Sequence, residues 1–233
     1  MMSRLIGKDF DLFLGFFLNY SLKDLASNGD FKKKLREAHK KYYPLLTLSA
    51  ELDLMFRGDV GEDCADRVKE TCSDIGSSIF LLAHGMYKQS NMSLRSSIEN
   101  FLKSIGCNHC PDILTDKSVF SVFEKAGQLE LFLDPVFKCK FDELQSIYSS
   151  LCLYTHTASA EHMAKISAMG SIPKHDKAKS AILVNDLTRL VRIYLFIYTK
   201  LFRCEFFKFN HDNRDVILSA LTKSQRRSLM EPS

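Results

Sequence analysis

Leu94-Arg95-Ser96-Ser97-Ile98-Glu99-Asn100-Phe101-Leu102 is the stretch that decides how this chain is read. Leu94, Ile98, Phe101, Leu102 and, just beyond it, Ile105 recur at the three-to-four spacing of one helix face. Arg95 and Glu99 stand four apart at the margin of that apolar stripe. About fifty residues on, Leu144, Ile147, Tyr148 and Leu151 form a second helical stripe, which runs into Leu151-Cys152-Leu153-Tyr154-Thr155-His156-Thr157. His156 falls where that helix stops. An Arg, a carboxylate and a His at the edges of two core-facing helices are the makings of a polar site between them.

Working outward, the composition supports an all-α fold. The chain has 233 residues, 45% of them hydrophobic and 26 aromatic, which is ample for a core. With 10 Gly and 5 Pro there are few turn signals, and no alternating strand is flanked by Asn-Gly or Asp-Gly. A first helix is expected at about residues 9 to 26, with Asn28-Gly29 as a left-handed C-terminal cap and Asp30 capping the next. The second, about 31 to 56, is interrupted or kinked at Pro44 and closed by Gly58 and Gly61. Residues 62 to 105 read as helix with at least one bend, at Gly76 or Gly85. A loop over 106 to 116 precedes helices near 117 to 127 and 140 to 155. Asp176 is the expected N-cap of a long last helix reaching about residue 207, whose stripe includes Leu183, Leu187, Leu190, Tyr194 and Tyr198. A basic tail at Lys223 to Arg227 follows.

The net charge of +4 neither demands nor excludes a nucleic-acid partner. Seven Cys, an odd number without a framework, point to free thiols in a reducing cytoplasm, with no signal peptide preceding them. The apolar runs Phe10 to Leu18 and Leu190 to Phe202 are short or carry Asp11 and Arg192, so no membrane span is expected. Cys107 and Cys110 have half the spacing of a zinc site, but no second pair completes it; a reduced loop is the reading, and no metal or other cofactor is assigned. Lys32, Lys33, Lys34, Arg36, Lys40 and Lys41, with His39 among them, wind around one helix. They form either a solvated face or a contact for nucleic-acid phosphates. Phe13, Phe16 and Phe17 have core spacing and are not counted as base-stacking platforms.

The order Gly85-Met86-Tyr87, Leu94-Arg95, Ile98-Glu99 and then Leu151 to His156 resembles the HEPN-like helical domains of bacterial phage-defence and toxin–antitoxin proteins, over roughly residues 72 to 205. The resemblance implies a HEPN-like bundle at 61–210, preceded by an N-terminal helical extension at 1–60 and followed by a short C-terminal helix and basic tail at 211–233. It further implies a homodimer, with RNA or a partner protein of such a system as its ligand. Nuclease members of the family are metal-independent RNases that carry an Arg, four to six intervening residues and then a His on a late helix. The nearest arrangement here, Arg203 and His211, has seven intervening residues. Two functions therefore stand side by side. One is an endoribonuclease in which Arg95 stabilises phosphate charge, Glu99 holds Arg95 and His156 transfers a proton. The other is a non-catalytic interaction module acting as adaptor, sensor or antitoxin.

Overall fold

A computed structural model describes residues 8, 11–12, 14–16, 19–23, 27–56, 62–164 and 174–230. Among these every regular element is helical and no strand occurs. The principal helices are α1 (Gly29–Phe56), α2 (Glu62–Ala83), α3 (Tyr87–Gly106), α4 (Val119–Gly127), α5 (Pro135–Thr155) and α6 (Lys177–Leu201). Three short ones follow: α7 (Arg203–Phe206), α8 (His211–Ser219) and α9 (Lys223–Met230).

Side-chain caps explain most of the starts. Asn28 Oδ1 accepts the Phe31 N–H at 3.1 Å, so Asn28 opens α1 instead of closing the helix before it, and Asp30 sits inside the first turn. Much of the helix expected over 9 to 26 lies outside the described residues, as do Gly58, Gly61, Phe13 and Phe17. Helix α5 begins at Pro135, five residues earlier than its apolar stripe suggests, because Asp134 caps it and proline suits the first helical position. Asp176 caps α6 as expected, its carboxylate accepting the Lys179 N–H at 3.0 Å. That helix stops at Leu201, short of residue 207, and the basic stretch 223–227 forms the body of α9 instead of a tail. Pro44 is buried inside α1, which continues through it.

The core is one continuous cluster. Helix α3 lies at its centre, packed on α2, α4, α5 and α6, while α1 packs on α2 and α6 and contributes Ala38, Leu45, Leu48 and Leu52 to the same interior. Residues 29 to 56 therefore share a core with the residues that follow. From Leu190 to Tyr198, α6 is buried almost all round, Arg192 being the half-buried exception; this is why its sequence resembles a membrane span without being one. Among the described residues no helix is long and apolar enough to cross a membrane. Aromatic rings fill the seams: Phe101 stacks on Tyr194 with centroids 4.3 Å apart, and Phe137 stacks on Phe196 at 4.5 Å.

Cysteine pairing departs from the expectation of free thiols. Cys64 at the start of α2 and Cys107 at the end of α3 form a disulfide, with Cα atoms 6.1 Å apart and a separation of 43 residues. The antiparallel packing of α2 and α3 brings these distant positions to one level, which no Cys spacing in the sequence reveals. Free thiols, the ground for expecting a reducing cytoplasm, are confined to Cys72, Cys110, Cys139, Cys152 and Cys204. Closing a loop of this length is expected to contribute about 2–4 kcal/mol by restricting the unfolded chain. Urea unfolding with and without reductant measures it; a Cys64→Ser protein should match the reduced wild type and no longer respond to reductant.

Candidate functional site

Helices α3 and α5 run antiparallel, and their facing sides carry a ladder of polar side chains. Lys88, Arg95 and Glu99 project from α3 at seven- and four-residue intervals, which keeps them on one face. Opposite them stand Tyr148, Cys152 and Thr157. Arg95 Nη2 meets Glu99 Oε1 at 3.0 Å, and the Tyr148 hydroxyl donates to the same carboxylate oxygen at 3.0 Å. The Arg95 guanidinium also lies over the Tyr148 ring, 5.2 Å from its centroid. At the α3 N-terminal end, Lys88 Nζ donates to Thr157 Oγ1 at 3.2 Å, where Thr157 takes a left-handed φ of 52° and the chain leaves α5.

The electrostatics tie Arg95, Glu99 and Tyr148 to one another, while Arg95 Nε is buried without a hydrogen-bond acceptor. Burial works against the charge on Arg95, but Glu99 and Tyr148 outweigh it and hold its pKa above the ordinary value. Burial, followed by the Glu99 carboxylate, pushes the Tyr148 hydroxyl well above its usual range. Tyr148 therefore stays a protonated donor and Arg95 a cation, and each is committed to Glu99. The two charged side chains retain about 30% exposure, enough for solvent to screen the pair.

His156 stands apart from this arrangement. It is the exposed C-cap of α5, its backbone N–H donating to Cys152 O at 3.0 Å, and among the described residues no hydrogen bond or ion pair joins it to Arg95 or Glu99. Thus the structure brings Arg95 and Glu99 together and adds Tyr148, Cys152, Lys88 and Thr157, while His156 sits one turn beyond Cys152. Tyr148 was legible only as a member of the core stripe; its hydroxyl acquires a role once α3 is known to lie opposite. Arg203 and His211 fall in separate short helices: Arg203 covers the Phe207 ring, and His211 lies beside Asp212 and Asp215.

The basic helix divides in two. Lys34, Lys40 and Lys41 line an open groove of about 560 Å³ between α1 and α6, together with Glu37, Asn185, Thr188 and, from α8, Ser219. Lys32, Lys33 and Arg36 are exposed and do not line it. The Cys107 half of the Cys-x-x-Cys stretch is bonded to Cys64, and among the described residues no three His, Cys, Asp or Glu side chains converge as metal ligands. No protein-family model, curated protein or solved structure matches the chain.

Proposed function

We propose that this protein is a non-catalytic helical interaction module, HEPN-like in the order of its polar residues and serving as an adaptor, sensor or antitoxin in a defence or toxin–antitoxin system. The observation that carries this reading is the engagement of Arg95 by Glu99 and Tyr148 within the α3–α5 cluster. A catalytic Arg must present its guanidinium to a phosphate, yet Arg95 is bound to Glu99, covered by Tyr148 and held by a carboxylate that Tyr148 also occupies. An acid–base His must lie within hydrogen-bond reach of the reacting atoms alongside that Arg, and among the described residues no hydrogen bond or ion pair connects His156 to the cluster. The cluster fastens α5 to α3 and acts as a positioning element.

The test is incubation of the purified protein with total RNA and with tRNA in the presence of EDTA, beside an Arg95→Ala/His156→Ala double variant. Wild type and double variant are expected to leave the RNA equally intact, while Arg95→Ala alone lowers folding stability by about 0.5–1 kcal/mol through loss of the Glu99 ion pair and of the contact with the Tyr148 ring. RNA fragments produced by the wild type and absent with a folded double variant would overturn the reading in favour of a metal-independent endoribonuclease.

A further inference from the structure

We infer that the groove between α1 and α6, flanked by the C-terminal helices, binds the phosphodiester backbone of a nucleic acid; this rests on the interaction-module reading and names the class of its partner. Cations reach this region from three separate elements. Lys34, Lys40 and Lys41 line it from α1, Arg192 approaches Lys41 from α6, and Arg226 approaches it from α9. The Lys41 ammonium is tied to the Ala220 carbonyl at 2.8 Å, which fixes the C-terminal helices beside the groove. Burial, then the nearby charges of Arg192 and Arg226, push the Lys41 pKa below its ordinary value. These cations are close enough to oppose one another.

Among the described residues these cations lack a counter-charge. Among the described residues, Lys41, Arg192 and Arg226 have no carboxylate partner, and the one acidic side chain lining the groove, Glu37, is bonded to Lys34 at 3.0 Å. Arg192 Nε is buried and has no hydrogen-bond acceptor. Asn185, Thr188 and Arg192 follow one another at three- and four-residue steps, so the two neutral donors and the guanidinium share a face of α6. Like charges assembled by folding, together with neutral donors, fit an anion with several oxygen acceptors.

A polymer fits better than a single phosphate. Lys32, Lys33 and Arg36 continue the positive charge along the exposed side of α1, and Lys223 and Arg227 continue it along α9. From residue 32 to residue 41 the helix advances about 13 Å, a length that covers several nucleotides at about 3.4 Å per strand position. Among the described residues the groove lining contains no aromatic ring, which points to backbone contact without base readout.

Fluorescence polarisation with labelled single-stranded RNA and duplex DNA, from about 50 to about 300 mM salt, tests the inference. The proteins are the wild type, Lys34→Ala/Lys40→Ala/Lys41→Ala, Arg192→Gln, and Lys138→Ala as a control on α5 remote in sequence from the groove, each checked for folding by thermal melting. Wild type is expected to bind with strong salt dependence. The triple variant should lose about tenfold or more in affinity and flatten the salt slope by about two phosphate contacts, with Lys138→Ala unchanged. If Arg192→Gln does not fold, the lysine variant decides. Absence of binding by the wild type, or equal losses in Lys138→Ala and the groove variants, would overturn the proposal. So would displacement by inorganic phosphate beyond that of chloride at matched ionic strength, since the site would then take free phosphate. None of these outcomes touches the module reading, which stands or falls on the RNA-cleavage comparison.

Discussion

Phe101→Ala is expected to destabilise the protein by about 3–5 kcal/mol, the range for truncating a buried aromatic. Phe101 is fully buried, stacked on Tyr194 at 4.3 Å and edge-on to Tyr198 at 5.0 Å between centroids. The cost of such a truncation depends on how far neighbours collapse into the space, and here both tyrosines are tethered. The Tyr194 hydroxyl pairs with Ser97 Oγ at 2.9 Å, and the Tyr198 hydroxyl with Ser104 Oγ at 2.6 Å. Both hydroxyls are completely buried, so a ring that moved to fill the cavity would break a hydrogen bond where no water replaces it. The same serines lie on α3 with Phe101, one turn before it and one after. Urea unfolding monitored by circular dichroism gives the value, with the m-value checked for two-state behaviour. Phe101→Leu keeps part of the volume and should cost much less. A loss below about 1 kcal/mol for the alanine variant would mean that the α3–α6 seam is not packed as described.

This seam also marks where sequence reading succeeds. The stripe through Leu94, Ile98, Phe101 and Leu102 and the one through Leu187, Leu190, Tyr194 and Tyr198 were legible because burial imposes a helical period on the residue types. Asp176 and the break near Gly85 were legible because capping and positive φ are local demands. What periodicity leaves open is which helix faces which. Arg95 and Glu99 could be seen as a pair along one helix, but Tyr148 and Cys152 became their neighbours only through the antiparallel packing of α3 and α5. The pairing of Cys64 with Cys107 depends in the same way on α2 and α3. The lysine run looked uniform in sequence. Packing against α6 split it into residues that line a groove with Asn185 and Thr188 and residues that face solvent, and neither Arg192 nor Arg226 had any mark in the sequence tying it to Lys41.

Gly85→Ala is the second substitution with a large expected effect, about 2–4 kcal/mol, although it adds a single methyl group at the surface end of a helix. The reason is a combination of backbone geometry and a near neighbour. Gly85 has a φ of +68° and closes α2 in a Schellman arrangement: its N–H donates to Leu82 O at 3.0 Å, and the Met86 N–H reaches back to Leu81 O at 2.9 Å. A side chain in this left-handed conformation costs about 1–2 kcal/mol by itself. A Cβ on Gly85 would also press into the Lys174 backbone carbonyl, which cannot yield as a flexible side-chain end would. That carbonyl belongs to the segment entering α6, and the Tyr87 hydroxyl secures the same segment by accepting the Asp176 N–H at 2.7 Å. Relief of the clash must therefore shift either the start of α6 or the turn that aims α3, the helix bearing Arg95 and Glu99. Tyr87→Phe removes the hydroxyl without altering the turn and should cost less, about 1 kcal/mol. Thermal and urea unfolding of the two variants separate the contributions: a Gly85→Ala protein within about 0.5 kcal/mol of wild type would show that neither the left-handed turn nor the close approach of Lys174 constrains the fold.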